Sequence, residues 1–213
     1  MKEIYIVRHG ETAWNASGKY QGWTDVPLND LGRAHAEACA KRLEEVPFHS
    51  IVSSDLTRAL ETAEAIRSHQ NASEIIRTPA LREINFGHWE SLTYKEIEAK
   101  WPGEIHRMYR NPKDARIENG ESFLDVQVRA MEVVMEHVKA LPEGKKILFV
   151  CHGGTIRTMI CAFLQIDLSS CWNFRQGNTA INVFHYYGDD SPFNAIDLMN
   201  DTEHIREVFY ARR

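Results

Sequence analysis

One event, which occurs twice in this chain of 213 residues, constrains the fold most. A short run of β-branched and other apolar residues ends, and a histidine followed by glycine comes next: Val7-Arg8-His9-Gly10 and Val150-Cys151-His152-Gly153-Gly154. Apolar runs this short read as buried strands. In a parallel sheet the carboxyl ends of the strands converge on the crevice at the topological switch point. Two histidines so placed face one another across a small cavity. Gly153 and Gly154 then open a helix, whose free N–H groups and dipole favour an anion.

Strands and helices alternate around these two points. Leu31, Ala34, Ala38, Cys39 and Leu43 recur at spacings of three and four, which predicts a helix over 30–45 capped by Asn29. A strand over 49–53, a helix over 56–68 with Asp55 near its start, and a strand over 74–78 follow. Residues 9–28 lack a helical period and read as a long ordered loop. Asn119-Gly120 breaks the chain before a long helix over 121–141. Strands over 4–7, 147–151, 180–187 and 195–200, with a helix over 155–164, complete the core. The pattern predicts an α/β fold: a three-layer α/β/α sandwich with a mostly parallel sheet. Pro102, Pro112 and short polar helices suit a helical excursion at about 84–140, within a single domain over 1–213. The tail from Asp201 onward predicts nothing.

Composition excludes classes rather than choosing one. The 25 basic and 30 acidic residues are well mixed and sum to −5, which disfavours a nucleic-acid partner. No apolar stretch approaches the length of a membrane span, and the opening MKEIYIVRHG lacks the apolar run of a secretory signal. Cys39, Cys151, Cys161 and Cys171 form no C-x-x-C pair and are expected to be reduced thiols. The ten histidines show no metal-ligand spacing. A cytoplasmic protein without metal or other cofactor is the expectation.

Two further segments bring charge to the same edge of the sheet. Arg58 follows the strand that ends in Ser54-Asp55, and Glu83 closes the run Leu81-Arg82-Glu83, with Glu90 a second carboxylate nearby. Two histidines, Arg8, Arg58 and one carboxylate make a phosphoryl-transfer set. The arginines and one histidine hold the phosphoryl group, the other histidine attacks, and the carboxylate protonates the leaving alcohol. Cys151 and Arg157 also satisfy C-x5-R, under which Cys151 is the nucleophile and Arg157 holds the phosphate. That pattern leaves Arg8-His9-Gly10 and Arg58 without a role. A non-enzymatic phosphoryl-binding module is a third reading, and it would be marked by loss of His9 or the carboxylate; both are present.

The segments from Ile4 through Arg8-His9-Gly10-Glu11-Thr12 to Trp14-Asn15, Ser53-Ser54-Asp55-Leu56-Thr57-Arg58-Ala59 with Glu61-Thr62-Ala63, Leu81-Arg82-Glu83 and His152-Gly153-Gly154 resemble the histidine phosphatase superfamily. That superfamily includes the cofactor-dependent phosphoglycerate mutases. The resemblance runs in order from residue 4 to about 187 and implies the phosphoglycerate-mutase-like fold. It implies a phosphohistidine on His9, a phosphate clamp of Arg8, Arg58 and His152, and Glu83 as proton donor. It also implies Thr12, Asn15, Gln21, Gly22 and Gly153 as substrate-binding positions. The chemistry agrees: Arg8, Arg58 and a protonated His152 would keep the nucleophile neutral, and the positive groups would stabilise the transition state without a metal.

The region after Glu83 is more compact than in the mutases. It looks more like the small phosphatases, among them the α-ribazole phosphatases. Ser91 departs from those relatives, which more often have glycine there. The resemblance therefore implies a phosphomonoesterase whose partner is a small-molecule phosphate ester, α-ribazole phosphate or a phosphoglycerate-like ester. Mutase-type transfer is the alternative.

Overall fold

A computed structural model of the chain describes residues 1–70 and 74–206, so the end of the tail lies outside the described residues. Strands β1 (Lys2–Arg8), β2 (Phe48–Ser54), β3 (Ile75–Thr78), β4 (Lys146–Cys151), β5 (Ile181–Tyr186) and β6 (Ala195–Asp201) form one sheet in the order β3-β2-β4-β1-β5-β6. The first four of that order are parallel neighbours, while β5 pairs antiparallel with both β1 and the edge strand β6. The sheet is therefore mostly parallel, and the α/β sandwich follows from which face each side chain takes.

Alternate residues of a strand point to opposite faces. Ile4, Ile6, Ile147, Phe149 and Cys151 pack with Ala130, Val134 and Val138 of one helix and Ile156, Met159 and Ile160 of another. These helices are α6 (Phe123–Ala140) and α7 (Gly153–Phe163). Val7, Leu148 and Val150 face the other way, onto α2 (Asp30–Arg42) and α3 (Thr57–Ser68) through Cys39, Leu43, Ala59, Ala63 and Ile66. Asn29 caps α2 as its sequence predicts, with its side chain accepting from the Gly32 N–H at 2.7 Å.

The expected loop at 9–28 contains one turn of helix, α1 (Ala13–Ala16), closed by a capping box between Thr12 and Asn15. The excursion carries α4 (Tyr94–Lys100) and α5 (Glu104–Arg110), whose Ile97, Ile105 and Met108 pack with Ile84, Trp89 and Ile117 against Phe123 and Val126 of α6 and Cys161 of α7. Since α6 is part of the sandwich, the segment that leaves the sheet is 84–122, narrower than 84–140. Ser91 sits at φ +70°, a conformation that favours glycine, which is the physical content of its departure from the resembling phosphatases. Among the described residues no helix is long and apolar enough to cross a membrane.

Candidate active site

Parallel order places the chemistry. β3, β2, β4 and β1 are adjacent and share a direction, so their carboxyl ends lie along one edge. His9 follows β1, His152 follows β4, Ser54 ends β2 with Arg58 on the first turn of α3, and Glu83 follows β3. Arg8 pairs in register with Cys151, which sets the His9 and His152 rings side by side, with centroids 5.0 Å apart.

The orientation of His9 is specified by its neighbours. Its Nδ1 lies 2.6 Å from the Gly10 carbonyl, which can only accept, so Nδ1 carries the hydrogen and the neutral ring keeps its lone pair on Nε2. Gly10 is itself pinned: its N–H donates to Thr62 Oγ1 at 3.0 Å, and a Cβ at position 10 would lie 2.4 Å from the Gly32 carbonyl oxygen. Burial, then the Arg58 and Arg8 charges, holds the His9 pKa well below the ordinary 6.5.

Arg58 is completely buried and spends its guanidinium on three acceptors: His152 Nδ1 at 3.2 Å, the Gly22 carbonyl at 2.7 Å and the Thr24 carbonyl at 3.2 Å. Burial lowers its pKa to about 10, so it stays charged near neutral pH. Because His152 Nδ1 accepts from Arg58, its hydrogen is on Nε2, which donates to Ser54 Oγ at 2.9 Å. Burial, followed by Arg58, pushes its pKa well down. His152 is thus a neutral donor here, which corrects the expectation of a third cation. An arginine at hydrogen-bond distance and a dry environment leave no room for a second positive charge.

Glu83 supplies a second correction. The N–H groups at the start of α7 are not free for an anion: Gly154 N–H donates to Glu83 Oε2 at 2.9 Å and Thr155 N–H to Oε1 at 3.1 Å. The anion that the helix terminus attracts is this carboxylate. A Cβ on residue 154 would stand 2.5 Å from Oε1, so only glycine lets the carboxylate seat there. Oε1 also accepts from the Ile84 N–H, so Oε2, with one backbone partner, has the lone pair left for a proton. Glu90, the nearby alternative, is committed elsewhere: it accepts from the Trp23 N–H at 2.7 Å and from the N–H and hydroxyl of Thr24.

A cleft of about 210 Å³ opens over Arg8, Glu83, Gly153 and Gly154. Arg8 donates from Nη1 to the Gln176 carbonyl at 2.6 Å, and its buried Nε has no partner among the described residues. His9 is 3% exposed and lies just beneath the surface. The expected substrate-binding set divides. Gly153 lines the cleft, whereas Thr12, Asn15, Gln21 and Gly22, like His9, Arg58 and His152, are not among the residues that line it. Thr12 is fully buried, with its hydroxyl donating to Gln21 Oε1 and accepting from the Asn15 N–H. Asn15 accepts from Asn178, which also holds the His9 carbonyl, and Gly22 serves Arg58.

Cys151 lies in the sheet core with no exposure, and burial raises its thiol pKa, so the geometry gives it no route to a phosphate. All four cysteines are free thiols. Among the described residues no group of three or more histidine, cysteine, aspartate or glutamate side chains is placed to hold a metal ion.

Sequence reasoning missed Arg129. Its Nη1 donates to the carbonyls of Ala80 and Arg82, its Nη2 to that of Glu83, and it pairs with Glu121. A signal existed: position 129 borders the apolar stripe of α6 at Val126 and Ala130, where a charge needs partners. The aromatic walls of the cleft, Tyr20, Phe86, Tyr109 and Trp172, were equally hidden, because they come from four separate segments.

Comparison with known proteins gives the family. The model of the histidine phosphatase superfamily (branch 1) matches residues 4–202. The chain is 35% identical to the metal-independent phosphoserine phosphatase of Arabidopsis thaliana over 214 residues, covering 99% of this chain and 86% of that one. It is 34% identical to phosphoglycerate mutase-like protein 4 of the same plant over 207 residues, 97% of this chain and 88% of the other. Among solved structures, Bacillus stearothermophilus YhfR superposes with a TM-score of 0.87 at 35% identity, covering 97% of this chain and 100% of that chain.

Proposed function

From the premise that this chain belongs to the histidine phosphatase superfamily (branch 1) and is a phosphatase, we propose that it hydrolyses a small phosphorylated metabolite through a phosphohistidine on His9. The observation that carries this reading is the Gly10 carbonyl at His9 Nδ1, which leaves Nε2 as the nucleophilic atom beside a site holding two arginines. In the first step Nε2 attacks phosphorus, the P–O ester bond breaks, and the proton on Glu83 goes to the leaving alkoxide. In the second, water attacks the phosphohistidine and returns a proton to Glu83, and the P–N bond breaks as inorganic phosphate departs. Arg8, Arg58 and His152 form the clamp for the phosphoryl oxygens, the His152 Nε2–H exchanging Ser54 Oγ for a phosphoryl oxygen when the ester binds. Such charge, fixed before the reaction, is the main lever on a loose transition state.

Both α-ribazole phosphate and a phosphoglycerate-like ester belong to the substrate class, and transfer to a second alcohol is the mutase alternative. The test is a trap during turnover of a panel of phosphate monoesters. Early acid-free quenching and mass spectrometry are expected to show one phosphoryl group that is acid-labile, absent in His9→Ala and present in Cys151→Ser. No adduct, with activity lost only in Cys151→Ser, would overturn the reading. Phosphate found on an added alcohol rather than in water would select the mutase.

A further inference from the structure

The two arginines of the clamp are held very differently. Arg58 meets three acceptors, whereas among the described residues the Arg8 guanidinium has one, the Gln176 carbonyl at 2.6 Å from Nη1. Its Nε is buried without a partner there, close enough to Gly153 that a Cβ on that residue would stand 3.3 Å away. The aim of Arg8 therefore depends on the orientation of one peptide unit, the one that joins Gln176 to Gly177. Its carbonyl end takes Arg8, and its N–H end donates to Asn200 Oδ1 at 2.7 Å. A peptide is planar, so gripping the N–H also fixes the direction of the carbonyl.

Asn200 lies on the edge strand β6, and a bulge places it for this contact. Ile181 of β5 pairs with Asp201 and Val183 with Leu198, so Asn182 faces two residues of β6, Met199 and Asn200. An extra residue of this kind bends the strand and re-aims a side chain, and bulges collect beside active sites. Asn200 has φ +54°, a left-handed conformation that asparagine adopts more readily than most residues. Its own N–H donates to Asn182 Oδ1 at 2.9 Å. Asn182 is fully buried in β5 and uses the rest of its amide on the Gln176 side chain, in a reciprocal pair at 3.0 and 2.9 Å, and on the Ile6 carbonyl of β1. An amide buried that deeply is tolerated when its polar atoms are matched. Here the matching ties the bulge, Gln176 and β1 into one frame, and Asn200 carries that frame to Arg8.

We propose that Asn200 is a positioning residue for phosphoryl binding: it orients the 176–177 peptide, and that peptide aims the Arg8 guanidinium. This rests on the phosphatase reading above and deepens it by giving a role to a residue that does not line the cleft. Asn200→Gly removes the acceptor and suits the positive φ, so the bulge is expected to persist and the urea midpoint to stay in place. Asn200→Asp keeps the acceptor. Calorimetry with inorganic phosphate on the full chain is expected to show about tenfold weaker binding in Asn200→Gly and near-wild-type binding in Asn200→Asp. A second readout is the rotation of the Arg8 Nη groups in 15N spectra, with the signals identified by their loss in Arg8→Lys. Rotation should be slow in the wild type and in Asn200→Asp and fast in Asn200→Gly, while the Arg58 signals stay unchanged. Wild-type phosphate affinity or unaltered Arg8 signals in Asn200→Gly would overturn the assignment. So would equal losses in the two variants, or a loss of affinity matched by a lowered midpoint, which would make the role structural. The phosphate titration needs no turnover. If no ester is hydrolysed but binding follows this pattern, only the hydrolysis is wrong; if esters are hydrolysed and binding is indifferent to position 200, only the role of Asn200 is wrong.

Discussion

His9 and His152 are buried side by side against Arg58 and Arg8, and both are neutral for the same reason: a dry site that already holds arginine charge resists another proton. Their folded pKa values lie well below 6.5, the value of the free imidazole in the unfolded chain. Above pH 6.5 the rings are neutral in both states and contribute no pH dependence. Below it the unfolded ring binds a proton that the folded ring refuses, so stability present above 6.5 is lost as pH falls toward the folded pKa. Each ring removes about 1 kcal/mol between pH 6.5 and 5.5, and the slope steepens toward about 1.4 kcal/mol per pH unit below that. Urea unfolding between pH 6.5 and 5.5 is expected to show this slope, and His9→Asn is expected to flatten it by roughly the share of one histidine. A slope identical in the variant would mean that His9 titrates normally in the folded protein and that the site is wetter than its burial indicates.

At the scale of elements, α3 matters because it carries Arg58, and its start is held from a distance. Leu56 at its N-cap offers no side-chain acceptor, and the neighbouring Asp55 forms a two-pronged pair with Arg82 instead of capping. The acceptor is Asp25, whose carboxylate takes the Thr57 N–H at 2.8 Å and the Thr57 hydroxyl at 2.7 Å. The same loop offers the Gly22 and Thr24 carbonyls to Arg58, so one carboxylate ties the loop to the helix and steadies the guanidinium between them. Asp25→Ala is expected to cost about 1 kcal/mol in urea unfolding, the usual worth of an N-cap, and to raise KM for a phosphate ester more than it lowers kcat. Asp25→Asn, which keeps an acceptor, should recover most of both. The elements legible in the sequence were those with local causes. Asn29 caps α2 three residues from its donor, and the Ile4–Val7 run is a strand because its own alternation buries both faces. The cap of α3, the seat of Glu83 on α7 and the aromatic walls join residues dozens of positions apart, and no periodicity records such a pairing. The placement of His9, Arg58 and His152 at one edge of the sheet was legible because each directly follows a strand or lies in the first turn of the helix after one. Thr12 shows what position along the chain does not record: its buried hydroxyl joins Asn15 and Gln21.

At the scale of the whole molecule, the question is how a carboxylate from the sheet edge reaches the middle of the site. The chain leaves β3, the edge strand, and must cross β2 to bring Glu83 over the end of β4 and the start of α7. No strand pairing supports that crossing. Arg129 supports it instead, reaching from α6 to the carbonyls of Ala80, Arg82 and Glu83 while Glu121 balances its charge and accepts the Asn85 N–H. One ion pair thereby joins a layer of the sandwich, the crossing segment and the root of the excursion. About a fifth of each side chain still meets water, so removing one partner is expected to cost roughly 2–3 kcal/mol, below the full penalty for an unpaired buried charge. Arg129→Met should lower the unfolding midpoint accordingly and reduce kcat further than the stability loss accounts for, because the Glu83 carbonyl is then held by Trp23 Nε1 alone and the Ala80 and Arg82 carbonyls lose their donor. Adding Glu121→Gln removes the orphaned charge while keeping an acceptor for Asn85, so the double variant should regain most of the stability. Its kcat should stay low. Recovery of both together would show that Arg129 acts on stability alone and that the crossing segment positions Glu83 without it.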